Sequence, residues 1–159
     1  YESRKFPLDN DLKPTSHAPS RGPDLLMEFD NFNLIVEVTW LTSSRQVANE
    51  GEPVTRHVAQ ITNESDKPTY CLFIAPKIDI NTYQYYKVHD VYFLPGNVEQ
   101  VANIIPVSLE EFFKFFIRLP KANDRSINKI HSILEECTSI KRDLKPIEWQ
   151  KFINNKFYG

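Results

Sequence analysis

Gly22-Pro23-Asp24-Leu25-Leu26-Met27-Glu28-Phe29-Asp30-Asn31-Phe32-Asn33-Leu34-Ile35-Val36-Glu37-Val38-Thr39-Trp40 decides how this chain folds. Leu25 to Phe29 and Phe32 to Trp40 are strand-like runs rich in β-branched and aromatic residues. The Asp30-Asn31 pair between them suits a tight two-residue hairpin turn. Such a turn fixes register: with Phe29 opposite Phe32, counting back along both strands sets Asp24 directly across from Glu37. Opposed residues carry β-carbons about 4.5–5.5 Å apart on one face. Two carboxylates that close repel unless a cation lies between them, so the pair points to a divalent metal.

Ligand hardness narrows the metal. Carboxylate and backbone carbonyl oxygens suit Mg²⁺, Mn²⁺ or Ca²⁺, and Mg²⁺ commonly takes one or two carboxylates and fills its other positions with water and substrate phosphate. A phosphodiester substrate is therefore favoured. Alternation along the second strand puts Phe32, Leu34, Val36, Val38 and Trp40 on one face and Ile35, Glu37 and Thr39 on the other. The plainer alternative makes Asp24 a turn residue and leaves Glu37 facing solvent on an edge strand.

Pro23-Asp24 and, thirteen positions on, Glu37-Val38-Thr39 at the end of an apolar strand resemble the PD-(D/E)xK nuclease motif, with threonine where lysine is usual. The continuation Ser44-Arg45-Gln46, Glu50-Gly51-Glu52-Pro53-Val54 and Arg56-His57 is similar to the cleavage domains of AlwI-like type IIS restriction endonucleases and their nicking relatives. Within that group the likeness is greatest to small catalytic subunits of heterodimeric enzymes whose large subunit is itself a nicking endonuclease. Downstream, Cys71-Leu72-Phe73-Ile74-Ala75-Pro76, a helical segment near Asn81 to Val88, and Ile104 to Phe116 follow the strand, helix, strand-then-helix order of such domains.

The resemblance implies an α/β restriction-endonuclease-like core, a central mixed β-sheet flanked by helices. It implies Asp24 and Glu37 as metal ligands, the carbonyl of Val38 as a third protein oxygen, and Glu50 and His57 as further active-site residues. It further implies Mg²⁺, with Mn²⁺ as a substitute, double-stranded DNA as substrate, a large DNA-recognising or nicking partner subunit, and a bacterial cytoplasmic setting. The family usually adds an acidic residue on a helix before the Pro-Asp strand. Tyr1 to Ser20 is instead a polar, proline-containing run that begins without a methionine, so that role goes unassigned, and Glu2 is a poor candidate.

Thr39 cannot act as the usual cation. His57 is the substitute expected to orient or deprotonate water. Pro53 suits the first turn of a helix running through Val54, Val58 and Ile61, with His57 on its more polar side. Glu50 is then expected in a loop between the breakers Gly51 and Pro53, returning its carboxylate to the metal, while Glu52 caps the helix.

Composition bounds the rest. The 159 residues, 41% of them hydrophobic, suffice for one catalytic domain over 1–159 but not for an added DNA-reading domain. A net charge of −2 contrasts with the basic patch an autonomous duplex-binding protein presents, so weak intrinsic DNA affinity and a need for a partner are expected. Lys77, Lys87, Arg118, Lys121, Arg125, Lys129, Lys141, Arg142 and Lys145 are expected mainly on solvated helix faces. Cys71 and Cys137 read as buried, reduced thiols of a cytoplasmic protein and form no zinc spacing with the four histidines. No apolar run approaches a membrane span, and glycine, at 4 residues, supplies no phosphate-binding loop.

The C-terminal third has helical period. Ser108 and Glu111 form a capping box ahead of a stripe of Leu109, Phe112, Phe113, Phe116 and Ile117, expected in the core. Ile127, Ile130, Leu134 and Cys137 mark a second helix, and Pro146 opens a third carrying Trp149, Phe152 and Ile153. The aromatic excess at Tyr83, Tyr85, Tyr86, Phe115, Phe157 and Tyr158 suggests that some of it forms a protein interface. Alternatives to the restriction enzyme are a DNA-repair or mobile-element nuclease of the same fold, and a catalytically silent interaction module.

Overall fold

The hairpin closes as its turn residues dictate. Phe29 N–H donates to the Phe32 carbonyl at 2.9 Å and the two rings stack. β2 (Leu25–Glu28) and β3 (Asn33–Val38) pair antiparallel, Leu25 opposite Val36 and Glu28 opposite Asn33, which is the expected register. The computed structural model of the protein describes residues 2–3, 22–119 and 124–158, with side chains over 22–119 and 127–157.

Around that hairpin the sheet grows in both directions. β1 (Glu2–Ser3) pairs antiparallel to β2, while β4 (Thr69–Ala75) lies parallel to β3 and β7 (Asn103–Ser108) parallel to β4, giving the mixed order β1-β2-β3-β4-β7. All seven residues of β4 are buried, as an apolar parallel strand covered on both faces must be. The remaining elements are α1 (Arg45–Asn63), α2 (Ile80–Val88), the hairpin of β5 (Val91–Leu94) and β6 (Val98–Val101), α3 (Leu109–Arg118), α4 (Asp124–Ser139), a 3₁₀ turn at Ile140–Arg142, and α5 (Pro146–Tyr158).

Helices cover both faces of the sheet. Glu37 meets His57 of α1 on one face, while on the other Phe32 stacks on His131 of α4 at 4.5 Å and Tyr70 meets the same ring edge-on. No helix among the described residues is long and apolar enough to cross a membrane. Cys71 and Cys137 are both free and buried.

Several expectations need correction. Helix α1 begins at Arg45 and carries Glu50, Gly51 and Pro53 in its interior, so Glu50 is not in a loop and Glu52 does not cap a helix start. Two tertiary contacts outweigh the local breakers. Fully buried Gln46 anchors the first turn with four hydrogen bonds, and the bare Gly51 admits the Tyr85 ring, which a β-carbon would meet at 2.9 Å. Glu52 instead pairs with Arg56 and accepts a bond from the Tyr92 hydroxyl of β5.

The helix α3 has its capping box at Ser108 and Glu111, and Leu109 and Phe112 of the expected stripe pack against the core, but the rest of that stripe does not. Phe115 is the buried residue, packed on Phe157 of α5, whereas Phe113, Phe116 and, at 80% relative exposure, Ile117 face outward. Amphipathicity marks an apolar face; the position of α5 decides which part of it is covered. Tyr83, Tyr86 and Phe157 are likewise core residues rather than interface, Tyr83 meeting the fully buried Trp149 edge-on. The side chain of Tyr158 lies outside the described residues.

Candidate active site

At the end of β3 the hairpin register carries one step beyond Leu25 and Val36, setting Asp24 against Glu37. Asp24 Oδ2 accepts the Val38 amide at 2.8 Å. The N–H and C=O of one strand residue point to the same side, so the Val38 carbonyl is directed to the Asp24 side as well. Glu37 is only 7% exposed, which rules out the solvent-facing alternative.

Its Oε1 lies 2.8 Å from His57 Nδ1. An ionised carboxylate only accepts, so Nδ1 carries the proton and a neutral His57 ring keeps a lone pair on Nε2. Glu50, two helical turns before His57 on α1, reaches the same strand: Thr39 Oγ1 donates to Glu50 Oε1 at 3.2 Å. Strand and helix are thus joined by two rungs, Glu37–His57 and Thr39–Glu50. All four expected catalytic side chains belong to this corner of the sheet.

Electrostatics report the same gathering. Burial pushes the Cys71 thiol well above its ordinary pKa, and the carboxylates of Glu37 and then Asp24 push it the same way. Tyr86 is raised first by burial and also by the charges of Glu50 and Glu37. Both buried groups therefore stay protonated beside the site.

The donor set suits a hard cation. Asp24, Glu37 and the Val38 carbonyl offer oxygens, while among the described residues no three His, Cys, Asp or Glu side chains come close enough to hold a metal ion by themselves. Such a site leaves positions for water and phosphate, which is how Mg²⁺ is usually bound.

Two residues that sequence reasoning missed complete the corner. Gln46 Nε2 donates to the carbonyls of Leu41 and Lys77, and its Oε1 accepts from Asp79 N–H and Thr82 Oγ1. It therefore ties the loop after β3 to the loop after β4. Thr39, read as a lost lysine, is a buried hydroxyl with two partners; its only sequence signal was its place two residues after Glu37.

Of the basic residues, Lys141 is buried against Asp90 rather than solvated, with Arg142 on the same carboxylate. The side chains of Lys121 and Arg125, and all of residues 4–21, where an upstream acidic residue was sought, lie outside the described residues, as does the side chain of Glu2.

None of the curated proteins matches the chain. Among solved structures it is similar to the small subunit, R.BspD6I2, of the heterodimeric restriction endonuclease R.BspD6I. The TM-score is 0.72 at 22% identity, covering 96% of this chain and 76% of that one, so the likeness is one of fold. The sequence pattern of the AlwI restriction endonuclease family matches residues 1–115. That match spans most of the chain and includes Asp24, Glu37, Glu50 and His57, and the chain therefore belongs to the AlwI restriction endonuclease family, as a type II restriction nuclease.

Proposed function

We propose that this chain is the cleavage subunit of a type IIS restriction endonuclease, a single catalytic domain that hydrolyses one strand of duplex DNA with Mg²⁺ and takes its sequence specificity from a larger DNA-recognising partner. The observation that carries this reading is the opposed pair Asp24 and Glu37 with His57 bonded to Glu37. In it Asp24, Glu37 and the Val38 carbonyl hold the metal, whose chemistry is to polarise a nonbridging phosphate oxygen and acidify bound water. Glu37 fixes the tautomer of His57, and His57 Nε2 takes or orients the proton of the attacking water. Glu50 adds a third negative charge beside the pair.

The partner follows from charge and from the fold neighbour. A chain of net charge −2 neutralises few phosphates, and the fold neighbour is the small subunit of a heterodimer. With one such cluster, one copy cuts one strand. A cytoplasmic location accompanies this reading.

The test is plasmid cleavage with Mg²⁺ by the chain alone and mixed with a cognate large subunit, together with duplex binding by anisotropy. The expected result is poor binding alone, and double-strand cutting at a fixed offset only in the mixture. Site-specific double-strand cutting by the isolated chain would sink the partner reading in favour of a self-sufficient homodimer.

A further inference from the structure

We propose that Thr39 is a positioning residue that aims the Glu50 carboxylate at the Asp24–Glu37 pair and does so without spending its charge, an inference that rests on the nuclease reading above. Thr39 is 7% exposed, and every polar contact it makes is directional. Its amide donates to the Ile74 carbonyl at 2.9 Å, which seats the residue in the sheet. Its hydroxyl oxygen accepts the Leu41 amide at 3.2 Å, which leaves the hydroxyl proton to point at Glu50 Oε1.

Geometry makes this bond the counterpart of the one beneath it. Thr39 directly follows β3 and, bonded to the Ile74 carbonyl, continues its alternation two residues past Glu37, while residues 50 and 57 lie two turns apart on α1, so the Glu37–His57 and Thr39–Glu50 bonds are neighbouring rungs. Glu50 carries three rotatable side-chain bonds and loses rotamer freedom only if something holds it. The Tyr86 hydroxyl reaches the Glu50 backbone carbonyl at 3.4 Å and so fixes the main chain, leaving the carboxylate to Thr39.

The residue type follows from the charge count. A lysine at position 39 would form an ion pair with Glu50 and cancel the charge that Glu50 sets beside the Asp24–Glu37 pair. A hydroxyl orients Glu50 Oε1 and leaves the carboxylate its charge. The departure from the usual lysine is therefore a different solution to holding the site, with proton transfer moved to His57.

The experiment uses the full chain and Mn²⁺ alone, titrated by the EPR signal of the free ion, with single-turnover cleavage and thermal unfolding measured in parallel. Thr39→Val should weaken Mn²⁺ binding and slow cleavage by about 10- to 100-fold, the range for a hydrogen bond to a charged group, and Thr39→Ser should restore both to within a few-fold. Added to Glu50→Gln, Thr39→Val should cost nothing further, because it acts through Glu50.

Parent-like Mn²⁺ binding and cleavage by Thr39→Val, or a loss that adds in full to that of Glu50→Gln, would overturn the proposal. Where the valine variant does not fold, Thr39→Ser against Thr39→Ala, which differ by the hydroxyl alone, decides on the same readouts. Glu37→Gln separates the two levels: if it still cleaves at the parent rate, the Asp24–Glu37 site of the reading above falls and this proposal with it. If it is dead while Thr39→Val is unaffected, only the positioning role is lost.

Discussion

The two ends of the sheet treat their carboxylates in opposite ways. At the end of β3, Asp24, Glu37 and Glu50 gather with one histidine, and among the described residues no lysine or arginine pairs with any of them. At the other end Asp90, whose carbonyl binds the Ala102 amide just before β7 starts, is gripped by two cations, Lys141 at 3.5 Å and Arg142 at 3.0 Å. Because β3, β4 and β7 run parallel, the end of β3 and the start of β7 lie at opposite edges. The first cluster is short of positive charge and the second is more than satisfied. A site that must take up a cation leaves its carboxylates uncompensated, whereas a clasp that only closes the fold compensates its own.

The largest effect should come from the uncompensated end. Asp24→Asn or Glu37→Gln should cut single-turnover cleavage by at least about 10²–10³-fold, the scale of losing one electrostatic stabiliser, while thermal unfolding stays near that of the parent. Full cleavage by either folded variant would erase the distinction between the two ends.

His57→Ala should follow, with cleavage slowed by about 10²–10⁴-fold and Mn²⁺ affinity little changed, because the ring touches Glu37 and not the donor oxygens left for the ion. A parent-like single-turnover rate would remove His57 from the chemistry and leave it a strut between β3 and α1.

Much of the active corner was legible because its determinants are local. Asp30-Asn31 specified a two-residue turn, and that turn alone set Asp24 against Glu37. The β4 strand, α2 and the capped start of α3 followed from composition and a capping box in the same way. What failed depended on partners distant in sequence. Gly51 and Pro53 read as a loop because the contacts that carry the helix through them, from Tyr85 and from the Gln46 anchor, come from elsewhere in the chain. Glu50, expected in a loop, therefore lies inside α1, from where it reaches Thr39 at the end of β3. The β5–β6 hairpin went unanticipated although Gly96 and Asn97 supply its left-handed turn, because each strand is only four residues long. Beyond its place after Glu37, nothing in the sequence marked the contacts of Thr39, because a hydroxyl's partner has no period or spacing.

At the compensated end, Asp90→Asn should unfold the protein more easily by about 3 kcal/mol, because it strands the buried Lys141 ammonium without its carboxylate. Arg142 is largely exposed and only returns to water. Denaturant titration measures the loss, and cleavage per folded molecule should not change. A fall in the cleavage rate of folded Asp90→Asn would show that the two ends are coupled.

The smallest effect is expected at Lys141 itself, and its direction is the sharpest statement about this end. Its Nζ lies within ion-pair range of Asp90 but is buried without a hydrogen-bond partner among the described atoms. Burial lowers its pKa, only partly offset by Asp90. With a folded-state pKa below the unfolded one, the unfolded chain binds more protons between the two values. Lys141 thus costs stability at neutral pH, and that cost is relieved as pH rises from its folded pKa toward about 10.4. Lys141→Met removes the desolvated charge while Arg142 still holds Asp90, so stability at pH 7 should change by less than about 1 kcal/mol or rise. The gain over the parent should shrink as pH is raised. Taking the difference between variant and parent cancels the opposite alkaline trend of the buried tyrosines Tyr83 and Tyr86, whose raised pKa values favour unfolding at high pH in both proteins alike. A loss of about 3 kcal/mol in Lys141→Met, equal to that of Asp90→Asn, would mean that the ammonium is needed at this end.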